Sequence, residues 1–337
     1  MAVLVTGGAG YVGSHTVRLL RDLERRVVVL DSLESGHPQA VGDVPLVVGD
    51  TADDRLVTSV IAEHHVDAVV HFAGYKAAGA SMHQAGRYFV NNVAATARLL
   101  DTLHRCGVGR LVFSSSCAVY GTPERLPVGE DQPVRPESPY GETKASLERM
   151  LRWYDRSHGM RSVSLRYFNA AGAAADGSIG EDPRVTTNLI PLVMQALLGR
   201  RPPVQVFGTD YPTADGTAIR DYVHVEDLAD AHVRALDLLA EGGQTTTLNL
   251  ATGVGSSVRE VLAAAGTVAG RPVPAEDAPR RPGDPVGLYA DTALARQVLG
   301  WEADRGLGDI VSSAWQWHAA HPDGYATGRA TGARRPA

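Results

Sequence analysis

Tyr140 and Lys144 stand four residues apart. On a helix that spacing puts the phenol and the ammonium on one face, near enough for the positive charge to favour the phenolate. A free tyrosine titrates near pH ~10, so it serves as a general base at neutral pH only when its ionised form is stabilised. The chain has eleven tyrosines and thirty arginines but only two lysines, Lys76 and Lys144. A composition so biased toward arginine keeps lysine where a compact, tunable ammonium cannot be exchanged for a planar fork that stays charged. Both lysines are therefore site candidates. A third polar group precedes them, Ser114-Ser115-Ser116, at the end of the apolar stretch that begins at Arg110. One strand-helix step separates it from Tyr140, so one of these serines is placed to hydrogen-bond a reacting hydroxyl.

Positioning such groups takes a scaffold, and its pattern starts at the first residues. Ala2 to Thr6 is a Val-rich strand that runs directly into Gly7-Gly8-Ala9-Gly10-Tyr11-Val12-Gly13 and a helical pattern from Ser14 to Asp22. Strand, glycine turn and helix form the context in which glycines let the backbone approach a pyrophosphate, and the helix start offers it unpaired N–H groups. The next strand, Val27 to Leu30, ends at Asp31, eighteen residues past Gly13. A carboxylate there accepts from both ribose hydroxyls of an adenosine and repels a 2′-phosphate, so the cofactor reads as NAD rather than NADP. A third strand near Pro45 to Gly49 leads to Asp50-Thr51, and a fourth, Val66 to His71, leads to Phe72-Ala73-Gly74-Tyr75-Lys76. A helix carrying Asn91-Asn92 and the strand from Arg110 continue the alternation. The expected fold is α/β: a Rossmann-like doubly wound parallel sheet with a smaller C-terminal substrate-binding domain.

The whole-chain composition narrows the function classes. Thirty-eight acidic against thirty-two basic side chains give a net charge of −6, and the basic residues form no stripe that could track a nucleic acid backbone. Two cysteines, Cys106 and Cys117, are too few for a disulfide framework and lack metal-ligand spacing. The first strand starts at Ala2, and no apolar run approaches a membrane span. These features lead us to expect a cytoplasmic location.

The glycine string, the Ser116 segment and Tyr140-x-x-x-Lys144 together resemble the extended short-chain dehydrogenase/reductase family. Within it the chain is similar to the UDP-glucose 4-epimerases, through His71 to Lys76, Asn91-Asn92-Val93, Ser138 to Gly141 and Leu165 to Asn169. The likeness continues through Gly180-Glu-Asp-Pro183, Asn188 to Pro191, Phe207 to Pro212, Arg220 to Val225, and Ala278 to Arg281 with Gly283-Asp284. The resemblance implies the interconversion of UDP-glucose and UDP-galactose through NAD-dependent oxidation at C4, rotation of the 4-keto sugar and re-reduction, in a homodimer. It implies that Tyr140 is the base, that Lys144 lowers its pKa and holds the nicotinamide ribose, and that Ser116 bridges sugar and phenol. Cofactor positions would be Gly7, Gly10, Tyr11, Val12, Gly13, Asp31, Ser32, Asp50, Thr51, Phe72, Ala73, Gly74, Lys76, Asn91, Ser116, Tyr140, Lys144 and Phe168, the last of which could equally be core. Substrate positions would be Ser116, Tyr140, Asn169, Asn188, Leu189, Gln205, Val206, Phe207, Arg220, Arg281 and Asp284, with no metal. The implied domains are 1–168 for NAD and 169–325 for the UDP-sugar, with segments near Arg220 to Leu239 and Thr247 to Leu250 returning to the main sheet. Residues 326–337 read as a disordered tail.

The sequence also departs from the pattern. Ala118 stands where many relatives carry Thr, and Leu288 stands where others place a bulky Tyr or a small Cys, which leaves acceptance of N-acetylated sugars open. A 4,6-dehydratase would need an acid beside the serine, which Cys117 and Ala118 cannot supply. An epimerase for another UDP-sugar (N-acetylhexosamine, pentose or uronate) and a non-catalytic NAD-binding sensor are the alternatives, the sensor having no use for an activated phenol. His71, His224 and His232 fall within strand or helix patterns and are expected to be satisfied structural histidines, and Trp315 and Trp317 to pack a terminal helix.

Overall fold

The computed structural model describes residues 1–184, 186–281 and 283–325; the expected tail at 326–337 lies outside them. Strands β1 (Ala2–Thr6), β2 (Arg26–Asp31), β3 (Leu46–Val48), β4 (Ala68–His71), β5 (Arg110–Ser116) and β6 (Arg161–Tyr167) are read off the chain in turn. After them come β7 (Asn169–Ala171), β8 (Val204–Phe207), β9 (Ile219–Arg220), β10 (Tyr222–His224) and β11 (Thr246–Leu250). The main sheet has seven parallel strands in the order β11-β6-β5-β4-β1-β2-β3. The strand order reverses between β1 and β4, and a crevice opens there at the carboxyl ends, where such sheets bind nucleotides. Smaller sheets pair β10 with β7, and β8 and β9 with short strands from the C-terminal third.

Both faces of the sheet are covered, which explains why its central strands are apolar without alternation. Val3, Val5, Val29 and Val70 face a core closed by the helices Tyr11–Asp22 and Val225–Ala240, through Val17, Leu20, Leu228 and Leu236. Leu4, Val28, Leu30 and Phe113 face the opposite core, closed by Val57, Leu99, Leu103 and Leu147 from three other helices. Each such fully buried side chain contributes about 1.5–3 kcal/mol. A separate core of Ile190, Val193, Met194, Tyr222, Val261 and Ile310 sits beyond the sheet edge. Trp317 is buried and Trp315 half-buried on the last helix, Leu307–Ala320.

The helix Pro139–His158 shows its limits in its sequence. Ser138 caps it through a 3.1 Å bond from the Gly141 N–H, Pro139 takes the first position, and Gly159 ends it in the left-handed conformation. Its buried face carries Tyr140, Lys144 and Glu148 at successive i,i+4 positions. Asn91 and Asn92 lie in a π-helical turn, Phe89–Ala94, a wider coil than the expected α-helix and one that recurs at functional sites.

Candidate active site

The glycine turn closes on its neighbours. Gly7 adopts φ 71°, and a Cβ there would stand 2.6 Å from the Ala73 nitrogen; one on Gly13 would stand 2.3 Å from the Gly7 carbonyl oxygen. These two glycines are needed for backbone-on-backbone packing. Around Gly10 there is more room, a Cβ meeting only the Gly7 carbonyl at 3.2 Å. Gly10 also precedes the helix Tyr11–Asp22 without any side-chain cap, and the first turn holds no acidic residue. An open, uncapped helix start with N–H groups at Tyr11 and Val12 fits the diphosphate of a dinucleotide.

Asp31 is buried at the end of β2, where Oδ2 accepts from the Ala9 N–H at 3.0 Å and Oδ1 from the Leu33 N–H at 2.8 Å. The carboxylate is thereby locked against the glycine turn, with lone pairs left for a ribose. Ser32 and Asp50 are exposed and Thr51 half-buried on neighbouring strand ends. Phe72 and Ala73 line the loop after β4, followed by exposed Gly74 and Lys76. The Lys76 ammonium lies 5.8 Å from the Tyr11 ring centroid and 3.1 Å from Glu181. Asn91 is half-buried, while its neighbour Asn92 is the buried one. The Asn92 amide accepts from the Tyr75 N–H at 2.8 Å and donates to Thr143 at 3.1 Å, tying the loop after β4 to the helix of Tyr140. Nothing in the sequence distinguished the two asparagines. Phe168 is buried in the cluster of Cys117, Val119 and Tyr120, which is core packing.

Ser116, Tyr140 and Lys144 do come together. A Cβ on Gly141 would lie 2.4 Å from the Ala118 carbonyl oxygen, so glycine at this position is what lets the helix press against the end of β5. That approach brings the Ser116 hydroxyl, which accepts from the Ala118 N–H at 3.2 Å, near enough to the Tyr140 phenol to act on its titration. Burial pushes the phenol well above its usual value, with Tyr167 adding to the rise and the Ser116 hydroxyl opposing it. Lys144 is not among the groups that move the phenol in this geometry. Lys144 instead donates to the Ser114 carbonyl at 2.7 Å and sits 5.9 Å from the Tyr140 ring centroid, and desolvation outweighs the distant charge. Burial lowers Lys144 itself to about 8, opposed by Glu148. Glu148 accepts from Nε and Nη2 of Arg166 at 2.8 and 2.6 Å and from the Ser115 hydroxyl at 2.6 Å.

The histidines are structural. His71 bonds Thr6 at 2.6 Å and Thr96 at 2.9 Å, and burial brings it down to about 3. His224 accepts from the Glu226 N–H and bonds Ser313. His232 departs from the expectation of full satisfaction: Nδ1 meets the Leu228 carbonyl at 2.7 Å, but Nε2 has no hydrogen-bond partner among the described residues.

Beside the crevice a pocket of about 450 Å³ gathers Asn169, Asn188, Leu189, Gln205, Phe207, Arg220, Arg281 and Asp284. The Arg281 guanidinium stacks 3.8 Å from the Phe207 ring centroid, and Arg220 pairs with Asp284. Val206 is not brought in. Gln205 and Phe207 line the pocket, and Val206 is buried and is not among its lining residues. Tyr222, which the sequence did not single out, also lines the pocket. Two guanidinium groups beside an aromatic ring suit a nucleoside diphosphate. No group of three or more potential metal ligands occurs among the described residues.

Residues 3–251 match the model of the NAD dependent epimerase/dehydratase family. A UDP-glucose 4-epimerase of Halalkalibacterium halodurans is 47% identical, over 97% of this chain and 98% of that protein. Among solved structures, the UDP-glucose-4-epimerase of Stenotrophomonas maltophila with bound NAD and formylated UDP-arabinopyranose superposes with a TM-score of 0.93 at 40% identity, covering 96% of this chain and 99% of the other. The Bifidobacterium longum UDP-glucose 4-epimerase in complex with NAD+ and UDP gives 0.90 at 39% identity, covering 96% of this chain and all of the other. With a family match over most of its length and close relatives along nearly all of it, the chain belongs to the NAD dependent epimerase/dehydratase family, among its UDP-glucose 4-epimerases.

Proposed function

We propose that this chain interconverts UDP-glucose and UDP-galactose by oxidation at the sugar C4, turning of the 4-keto sugar and re-reduction. The observation that carries the reading is the approach of the Tyr140 helix to the Ser116 end of β5, beside an uncapped, glycine-lined helix start and a pocket walled by Arg220 and Arg281. When bound, NAD supplies the chemistry of accepting a hydride from C4 and returning it to the opposite face of the ketone. Tyr140 takes the proton of the C4 hydroxyl in its phenolate form and later gives it back; the positive charges of Lys144 and of the bound oxidised cofactor would favour that form over the protonated phenol. Ser116, at the end of β5 near the phenolic oxygen, steers the sugar hydroxyl toward it. Lys144 is the lysine inside the core and brings positive charge to the helix face of Tyr140. Gly10, Tyr11 and Val12 would hold the diphosphate of the dinucleotide, Asp31 its adenosine ribose, and Lys76 the edge of the same cleft.

Turning the keto sugar over requires a firm hold on the nucleotide and a loose one on the hexose. Arg220, Arg281 and Asp284 grip the diphosphate and ribose in this reading, and Gln205 and Phe207 flank the base. Residues 1–168 then serve as the NAD domain and 169–325 as the nucleotide-sugar domain, with β11 joining the main sheet. A homodimer is part of the proposal, supported by the exposed apolar side chains Phe89, Val90 and Trp153 on adjoining helices; sedimentation of the purified protein tests it. A cytoplasmic location agrees with the two unpaired cysteines, and among the described residues no helix is long and apolar enough to cross a membrane. Incubation with UDP-galactose, and separately with UDP-N-acetylgalactosamine, followed by assay of the C4 epimers, tests the activity. Formation of UDP-glucose is expected; no conversion of either sugar would refute the reading.

A further inference from the structure

Gly180 to Pro183 belongs to the family-like string, yet none of its residues was given a role from the sequence. Its backbone is pinned from several directions. The Trp317 indole donates to the Glu181 carbonyl at 3.0 Å, and the Tyr325 hydroxyl bonds both the N–H and the carbonyl of Gly180, at 3.1 and 2.9 Å. From this fixed base the Glu181 carboxylate projects into the protein with its side chain only 6% exposed. Three donors converge on Oε1: the Asn188 amide at 2.9 Å, the Thr186 hydroxyl at 3.0 Å and the Lys76 ammonium at 3.1 Å. Oε2 takes the same Asn188 amide at 3.2 Å.

The chemistry of the acceptor fixes the geometry of its donors. An ionised carboxylate can only accept, so Asn188 must turn its NH₂ toward Glu181 and present its carbonyl oxygen away from it. Asn188 lines the pocket of Arg220 and Arg281, immediately before the helix Leu189–Leu197. Lys76 is a flexible side chain, 61% exposed, on the loop that packs against Gly7. Its ion pair with Glu181 is the contact that holds its head group.

We infer that Glu181 is a positioning residue shared by the two ligand sites, fixing the Asn188 amide for the nucleotide sugar and the Lys76 ammonium at the edge of the dinucleotide cleft. The inference rests on the function proposed above. A single buried carboxylate thus orders a group in each site, although its partners lie seven and 105 residues away. A purely structural glutamate would not require a pocket-lining amide and a cleft-edge ammonium on the same oxygen.

The test is Glu181→Gln in the full chain, which keeps the shape and removes the charge and the acceptor-only character. Losing charge-assisted hydrogen bonds to both arms should weaken UDP-galactose, read as KM, about tenfold. Turnover at saturating UDP-galactose with NAD supplied in excess should stay within about threefold, since no atom of Glu181 enters the reaction. NAD should leave the variant during gel filtration under conditions where the wild type retains it. Thr186→Val, which leaves the carboxylate charged and removes one of its donors, should give a smaller rise in KM with NAD retained; it carries the test should Glu181→Gln fail to fold, and an unchanged KM in it would then overturn the proposal. A folded Glu181→Gln with unchanged KM and unchanged NAD content overturns the proposal, and so does a loss confined to kcat and melting temperature. Calorimetric titration with UDP-glucose reads the Asn188 arm without turnover. A wild type that binds UDP-glucose but does not epimerise it would refute the proposed function, while a weakened variant in the same titration would still support the role of Glu181.

Discussion

Replacing Lys144 with methionine removes a buried cation whose effect can be worked out from its surroundings. The side chain is 5% exposed, and burial brings its pKa from 10.5 down to about 8 even though Glu148 opposes the fall. At about 1.4 kcal/mol per pKa unit, holding this ammonium charged inside the fold costs about 3 kcal/mol relative to a solvated lysine. Because the folded pKa lies below the unfolded one, the unfolded chain binds more protons between pH 8 and 10.5, and stability rises with pH across that window. Methionine carries no proton to release. The unfolding free energy of the wild type should therefore climb by about 3 kcal/mol relative to Lys144→Met between pH 8 and 10.5. Urea titrations at matched NAD content would measure it. The raised pKa of Tyr140 works in the opposite direction, but only above pH ~10 and in both proteins. Turnover gives an independent readout: the wild type should lose kcat above pH ~8 as the ammonium discharges, and the variant should be slower by about 10²-fold throughout. Parallel stability profiles for the two proteins would refute the argument that this lysine is desolvated.

Tyr140→Phe should lose about 10²–10⁴ in turnover while still binding UDP and NAD, as checked by rate assay and calorimetry. Its stability should stay within about 1 kcal/mol of the wild type, since Ser116 keeps its 3.2 Å bond from the Ala118 N–H. Gly13→Ala drives a Cβ to 2.3 Å from the Gly7 carbonyl and should cost about 1–3 kcal/mol while abolishing NAD retention; a variant that purifies with full NAD would contradict the packing argument. His15, His71, His224, His232 and His318 are all buried with pKa values lowered to about 3 or 4, chiefly by desolvation. Their folded pKa values lie below the unfolded ones, so the stability they confer by staying neutral is present above pH 6.5 and declines as pH falls from there toward 4. Each should give up to about 2 kcal/mol by pH 5, and a melting temperature unchanged between pH 7 and pH 5 would count against it.

The elements that were easy to read are those whose signal is local. A Val-rich run into a glycine turn can be seen within a dozen residues, and Ser138, Pro139 and Gly159 mark the ends of the Tyr140 helix without reference to the rest of the fold. The electrostatics was not legible. A four-residue spacing places Lys144 on the face of Tyr140, but the ammonium turns to the Ser114 carbonyl thirty residues away, and the depth of burial sets both pKa values. Asn92 acts through partners 17 and 51 residues distant, and Glu181 joins Asn188, seven residues on, to Lys76, 105 residues back, so no short window of sequence contains the whole arrangement.

The contrast between two buried cations explains why a chain so rich in arginine keeps a lysine at position 144. Arg166 occupies the next strand, committed to both oxygens of Glu148 and to the Tyr120 hydroxyl at 2.9 Å, and its guanidinium stays charged under all working conditions. Such a group can anchor a helix but has little left to offer a ligand. Lys144 spends one of its three donors on Ser114, and no acceptor for the other two is found among the described residues. An arginine here would bring a rigid fork whose five donors all need partners in a space sized for an ammonium, and its charge could not respond to pH near 8. The lysine supplies a compact positive charge with two donors beyond the one given to Ser114, close to the buried Arg166–Glu148 ion pair.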